Sequence, residues 1–399
     1  FHLLGGEMRK ATAEAPLSPL WQDIYGFFDE NSHWQKRLSL LKQGIGKTAK
    51  PERLSPKTAK TLYGKNIFSS VSRLERFAGC PFSFFAEYGL KAEERRLYQL
   101  NTPDLGSLFH EVLELFSNKL EQDSLPWTSL TKEETTARIH AAVEDAAPRL
   151  GNRILLDSAA NQYLIRRLKR ISTRAAWTLV QHLQQGDFVP AGYEVGFGAH
   201  EALPPIVIRL QDGGSLILNG KIDRVDLLDA NGTRYVKIID YKSGNKTFHF
   251  QDIYYGLQLQ LLVYLDAYLK YYKKTGASFK PGGVFYFRIT DPTLALDEEL
   301  SAEAIEKILY EKMRMSGLLL QEDVLIHGLD HSLAESRSSA IVPVGYTKKG
   351  DPAAASNLAT EEQYAAILDF VATRTQEIGD AMKAGIITPA PYRDGQRTP

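Results

Sequence analysis

The sequence predicts an α/β protein: a mixed central sheet with helices before, between and after its strands. Three observations lead there. Segments rich in β-branched and aromatic residues, which suit a pleated and half-buried surface, fall within about residues 190–290. A strongly helical stretch interrupts them. Helical periodicity dominates the chain on both sides, and the N-terminal part reads as helix and loop.

Taken in order, Trp21, Ile24, Tyr25 and Phe28 recur at helical spacing, and Trp34, Leu38 and Leu41 do so more loosely. Residues 44–56, rich in Gly, Lys and Pro, read as a linker. Within it, Gly44-Ile-Gly46-Lys47-Thr48 imitates the end of a Walker A phosphate loop. The motif's first glycine would fall at Leu41, and Pro51 would interrupt the helix that must follow, so ATP binding is not expected. Helices are expected over 72–88, over 105–120 and across a long region from 132 to 185. Strands are expected over 193–197, 215–228, 234–241 and 283–289, with a strong helix over 251–272 between the third and the fourth. An amphipathic helix over 361–384 precedes a Pro-rich end.

The 399 residues allow one large decorated domain or two. Hydrophobic content of 43% with 24% charged residues is ordinary for a globular protein with a real core. Lys+Arg and Asp+Glu both total 48, so any nucleic-acid contact must come from local basic patches. A single cysteine, Cys80, excludes an internal disulfide and suits a reducing compartment. No apolar run approaches the ~18–20 residues of a membrane span, and the start lacks the order of a signal peptide. The chain begins with Phe1, as expected of a processed product or fragment, and a soluble, cytoplasmic protein is expected.

The most informative stretch runs from Gly220-Lys-Ile-Asp223-Arg-Val-Asp through Asn231-Gly232 to Asp240-Tyr-Lys242-Ser-Gly244. Asn-Gly between two apolar runs signals a type I′ hairpin, because both central residues must take positive φ. A two-residue turn at Asn231-Gly232 places Asp223 directly opposite Asp240, on one face of the sheet. Opposed carboxylates repel each other, and a divalent cation between them removes the conflict, since carboxylate oxygens are the ligands that hard ions prefer. A bulge would shift this register. Lys242 leaves the same face about 6.8 Å further along. Two acids at a cation with an ammonium beside them suit phosphodiester hydrolysis, in which the Lys orients the nucleophile or stabilises developing charge.

These residues resemble, in order, the motifs of the RecB-type PD-(D/E)XK nucleases: Gly220-x-x-Asp223-Arg224, Asp240-x-Lys242-Ser-Gly and Gln260-Leu-Leu-Val-Tyr264. Upstream, Ser70-Val-Ser-Arg-Leu-Glu75-Arg-Phe-Ala-Gly-Cys80-Pro-Phe and Gly106-Ser-Leu-Phe-His110-Glu are similar to blocks of the AddB-like subfamily, found in bacterial AddAB helicase–nucleases. The resemblance spans about residues 60–399 and implies a restriction-endonuclease-like PD-(D/E)XK core. It divides the chain into 1–60, a helical remnant of a preceding helicase-like region, and a nuclease domain over 61–399. It assigns metal ligation, by Mg²⁺ or Mn²⁺, to His110, Asp223 and Asp240, and makes Lys242 base or stabiliser. Without the hairpin, His110 on its helix's polar edge reads as a solvated residue.

Other positions keep two readings. Gln260 and Tyr264, spaced i,i+4, either face the cleft or pack as an ordinary Tyr with a satisfied Gln. Glu194 either completes the metal site or is a solvated strand residue. Arg166, Arg167, Lys169, Arg170 and Arg174 either grip phosphates or form a solvated helix face. In related proteins the Cys80 block supplies one thiolate to a [4Fe–4S] cluster whose other ligands follow the last helix; one thiolate cannot hold such a cluster, so the resemblance implies a cluster in the full-length protein and none in this truncated chain. The alternative is a buried free Cys. Cys80 is nonetheless expected near residues 392–399, with those last residues mobile. The resemblance further implies single-stranded DNA as substrate, 5′→3′ exonuclease action, a role in double-strand-break repair by recombination and an AddA-type partner. The alternatives are a free-standing nuclease of CRISPR-adaptation type and an inactive DNA-binding or scaffold domain.

Overall fold

The computed structural model describes residues 2–11, 16–44, 52–92, 102–147, 159–294 and 300–395. The Walker-like segment 45–48 and residues 396–399 lie outside them.

Four helices open the chain: α1 (His2–Lys10), α2 (Pro19–Glu30), α3 (Ser32–Gly44) and α4 (Pro56–Tyr63). The periodic face of α2 forms as expected, yet none of its side chains is buried. After β1 (Asn66–Ser69) come α5 (Val71–Gly79) and the short α6 (Pro81–Phe84). The single helix expected over 72–88 is thus broken at Cys80, which is extended at φ −168°. Pro81 is the cause, since a proline ring drives the residue before it out of the helical region.

α7 (Thr102–Gln122) follows, then α8 (Lys132–Ala146) and α9 (Ala159–Gln184) in place of one long helical region. Thr131 and Glu134 start α8 with a reciprocal capping box. The strands come next: β2 (Val189–Phe197), β3 (Ile206–Arg209), β4 (Ser215–Leu218), β5 (Gly220–Ala230) and β6 (Thr233–Lys242). The strand expected over 215–228 is therefore two strands in different sheets. β4 joins β1 and β3 in a small side sheet, and Asn219 at the break donates its N–H to the Ser69 carbonyl.

The helix expected over 251–272 divides into α10 (Phe250–Tyr254) and α11 (Gln260–Lys274). Gly256, at φ +80°, stops the first, because the left-handed conformation cannot continue a helix. β7 (Phe279–Arg288), α12 (Ala302–Lys312), β8 (Ser316–Leu320), α13 (Asp323–Leu329), β9 (Leu358–Ala359) and α14 (Glu361–Lys383) complete the order.

The main sheet runs β2-β5-β6-β7-β8-β9. β5 runs antiparallel to both β2 and β6, and β6 pairs with β7 in parallel across the α10–α11 crossover. Centrality explains why β6 is nearly continuously buried: its pattern is a buried run, not an alternation. The expected hairpin is present. Asn231 (φ +52°) and Gly232 (φ +76°) form the turn, and the pairing from Ala230–Thr233 to Arg224–Ile239 keeps the predicted register without a bulge. One sheet face carries Asp240 and Lys242 under α11; the other packs on α9, where His182 meets Phe287 edge-on. No described helix is long and apolar enough to cross a membrane.

Candidate active site

The register that opposes Arg224 and Ile239 puts Asp223 and Asp240 at the next level of the β5–β6 pair. There the ladder opens, and the Asp223 side chain takes over its bonding: Oδ2 accepts the Tyr241 N–H at 2.6 Å. On its other side, β2 pairs Tyr193 with Arg224 and Val195 with Ile222, so Glu194 stands at the level of Asp223. Three acids therefore lie side by side on adjacent strands. Glu194 has φ +47°, a left-handed conformation that costs a non-glycine residue on the order of 1–2 kcal/mol.

His110 reaches this row from α7. Its Nδ1 lies 3.4 Å from Asp223 Oδ2. The approach depends on Gly106, one turn earlier: a Cβ there would come within 2.9 Å of Ser243 Oγ, just beyond Lys242. Donor atoms of His110, Glu194 and Asp223 all lie within 4.8 Å of one another. A cleft of about 530 Å³, lined by Gly106, Ser107, His110, Glu114 and Glu194 among others, opens over them. One imidazole nitrogen among carboxylate oxygens is a donor set that Mg²⁺ or Mn²⁺ accepts, so these residues fit a divalent cation.

Asp240 is 3% exposed and engaged on both oxygens. Oδ1 accepts from Gln260 Nε2 at 2.8 Å, and Oδ2 pairs with the Lys242 ammonium. Gln260 Oε1 also faces Lys242 Nζ, at 3.5 Å. Gln260 thus bridges the acid and the ammonium. Tyr264, the other half of the helical pair, is buried: its ring stacks on Phe197 and its hydroxyl lies against Gly220. A Cβ at Gly220 would fall 2.1 Å from that oxygen, which is the physical reason for glycine at the head of this motif.

Crowded acids raise one another. Burial, then the charges of Asp223 and Glu114, push Glu194 up to about 7. Burial, then the Asp223 charge, push Asp240 up to about 7, against the pull of Lys242. Burial pulls His110 down, but its hydrogen bond with Asp223 and the charges of Asp223 and Asp240 prevail and raise it. Lys242 behaves alike: burial lowers it, Asp240 and Asp223 raise it, and the net is upward. Carboxyls held partly protonated beside a raised imidazole favour positive charge between them, as a cation would supply.

Behind the sheet, Arg224 forms a buried bidentate pair with Asp226 (2.6 and 3.1 Å) and lies over the Trp127 ring, while Lys237 completes the cluster at 2.9 Å. The Asp223-Arg224 pair of the motif therefore points to both faces, Asp223 to the row of acids and Arg224 to the buried cluster behind the sheet.

The basic stretch differs from a bare phosphate-gripping stripe. Lys169 is paired with Glu144 at 2.6 Å, and Arg170 and Arg174 with Asp291 at 2.7 and 3.5 Å. Arg167 is exposed and apart from them. Arg166, Lys169, Arg170 and Arg174 line a pocket of about 460 Å³ together with Lys132 and Trp177. The segment that carries Asp291 continues from the end of β7, where the Ile289 N–H bonds the Lys242 carbonyl at 2.9 Å. Cys80 is half-buried, and the Tyr392 N–H donates to the Gly79 carbonyl at 2.8 Å, so the C-terminal stretch does lie beside it.

Sequence reasoning passed over Glu75, whose carboxylate meets the start of α11; no spacing signal marks it, since its bonds go to backbone 184 and 185 residues away.

A model for the PD-(D/E)XK nuclease superfamily matches residues 69–397, and one for the fifth domain of the ATP-dependent helicase/deoxyribonuclease AddB matches residues 1–44. Among curated relatives, the ATP-dependent helicase/deoxyribonuclease B-type chain of Alkaliphilus oremlandii is 40% identical over 399 residues, covering all of this chain and 35% of the relative. The corresponding helicase/deoxyribonuclease chains of Alkaliphilus metalliredigens (41%; all of the chain, 35% of the relative) and Caldanaerobacter subterraneus (37%; 98% and 34%) are similar. The chain spans about a third of the length of these relatives. With its sheet, its row of acids and a family match over most of its length, the chain belongs to the PD-(D/E)XK nuclease superfamily.

Proposed function

We propose that this chain is the exonuclease of an AddAB-type helicase–nuclease, hydrolysing phosphodiester bonds of single-stranded DNA with Mg²⁺ or Mn²⁺. The observation that carries the reading is the convergence of His110, Glu194 and Asp223 on one point, beside an Asp240–Lys242 pair on the same sheet face. His110, Glu194, Asp223 and Asp240 would hold the cation. Bound there, it would supply positive charge to a phosphoryl oxygen and make water more acidic.

The chain's own residues do the rest. Gln260 orients the Asp240 carboxylate through Nε2 and faces Lys242 through Oε1. Asp240 and Asp223 keep Lys242 in its ammonium form, which favours charge stabilisation over proton abstraction as its role. Tyr264 braces the start of β5 and thereby the height of Asp223. Arg170 and Arg174 would take phosphates of the same strand by exchanging Asp291 for them, with Arg166 on the same wall and Trp177 beside them to stack a base.

By the resemblance of its motifs to AddB-like nucleases, the proposed partner is an AddA-type chain, with 5′→3′ cleavage in double-strand-break processing in the cytoplasm. Cys80, at the α5–α6 break, is one thiolate where a [4Fe–4S] cluster takes four; alone it does not fit the cluster, and no step here depends on one. End-labelled single-stranded DNA incubated with the protein tests the reading. Shortening of the strand with Mg²⁺ and not with chelator is expected; an intact strand in both would refute it.

A further inference from the structure

Glu75 stands on α5, far in sequence from the acids, yet its carboxylate serves the helix over the active site. Oε1 accepts two backbone N–H groups, Leu259 at 2.8 Å and Gln260 at 3.0 Å. Leu259 is the N-cap of α11 and its side chain makes no capping bond. The first N–H groups of a helix lack intrahelical partners and form its positive end, so an anion there is favoured. Glu75 supplies from another helix what Ser or Asp usually supplies locally. Its other oxygen, Oε2, pairs with Lys246 Nζ at 3.2 Å, and the side chain is 12% exposed.

What begins at Leu259 decides the chemistry just beyond it. Gln260 is the first residue of α11, and its amide is the group that bridges Asp240 and Lys242. Lys246 lies over the Tyr286 ring at 5.3 Å, the same ring that Lys242 approaches at 5.8 Å. α5 is itself firmly held: Val71, Leu74 and Phe77 are buried, and Gly79 receives the Tyr392 N–H.

We propose that Glu75 is a positioning residue for the phosphodiester chemistry: it caps α11 from α5, sets the Gln260 amide over Asp240 and Lys242, and retains Lys246 at the edge of the same site. The catalytic consequence rests on the nuclease reading; the capping does not. Glu75 bonds the backbone at the start of α11 and the Lys246 ammonium, and its effect on the chemistry runs chiefly through Gln260. A buried acid that only stabilised the fold would lower the melting temperature without separating kcat from KM.

The test uses the full-length chain with single-stranded DNA and Mg²⁺. Glu75→Ala should lower kcat by roughly 30–100-fold, the scale of an ångström-level misplacement of a catalytic group, with KM changed less than about 3-fold. Glu75→Gln keeps an acceptor oxygen and should recover to within about 5-fold of the parent. In a Gln260→Ala background, Glu75→Ala should add less than about 2-fold, because the two losses share one route. Hydrogen exchange gives a reading independent of turnover: the Leu259 and Gln260 amides should exchange at least ~10-fold faster in Glu75→Ala and at parent rates in Glu75→Gln. Unchanged exchange in Glu75→Ala, or losses that multiply with Gln260→Ala, would overturn the proposal. Altered exchange in a chain whose parent form leaves DNA intact would uphold the capping and count against the nuclease reading instead.

Discussion

Lys242 and Asp240 share a salt bridge, and the roles proposed for them differ: the carboxylate would hold the cation and the ammonium would stabilise charge on the phosphate. Lys242→Ala should therefore retain divalent-ion binding by calorimetry while losing roughly 10²–10³-fold in turnover. Metal affinity lost together with activity would contradict that division. Glu194 yields a pH prediction. Its folded value of about 7 lies above the ordinary carboxylate range, as does that of Asp240. Between about pH 4.5 and 7 the folded state keeps protons that the unfolded chain has released, so stability in chelator should fall as pH rises through that window. His110, also raised, adds a loss of the same sign. Melting curves from pH 5 to 8 should show the fall, and Glu194→Gln should flatten it; parallel curves for parent and variant would disprove the account. Asp223, Asp240 and Lys242 were legible in the sequence because one Asn-Gly turn determines which residues face each other. The placement of Glu194 was less so, because its left-handed backbone is a local departure that no alternation pattern encodes.

Elements recovered well were those with a long period or a distinctive turn. The β5–β6 hairpin kept its predicted register because positive φ at Asn231 and Gly232 admits few alternatives. β1, β3, β8 and β9 went unexpected: at two to five residues they are too short to carry an alternation, and tertiary pairing alone defines them. The break at Cys80 was readable in Cys80-Pro81 and was overridden by the apolar period on either side. Close approach between elements was not readable at all. Gly220 lies beneath the Tyr264 hydroxyl, so Gly220→Ala should destabilise the fold by roughly 1–3 kcal/mol through overpacking. Adding Tyr264→Phe, which removes the nearest clashing atom, should restore part of that loss in chemical denaturation. No recovery in the double variant would show that Gly220 answers some other constraint.

Across the whole molecule, acids and bases balance, so the proposed DNA binding must come from a local surface that can release its own counter-charges. The α9 pocket fits that description, since Arg170 is paired with Asp291 and Arg166 lines the same wall. Arg166→Ala with Arg170→Ala should raise KM for single-stranded DNA about 5–10-fold, leave kcat near the parent value and reduce the salt slope by about 1–2. An unchanged KM and slope would place the strand elsewhere on the surface. The central proposal is that the β5–β6 hairpin is a hydrolytic metal site, supported by the family match over residues 69–397 and by the meeting of Asp223 with His110 and Glu194. Digestion of end-labelled single-stranded DNA by the parent and by Asp240→Ala, with Mg²⁺ and with chelator, tests it most directly. The parent should shorten the strand only with Mg²⁺, and Asp240→Ala, folded by circular dichroism, should leave it intact under both conditions. Equal digestion by the folded Asp240→Ala variant would contradict the assignment of this hairpin as the catalytic centre.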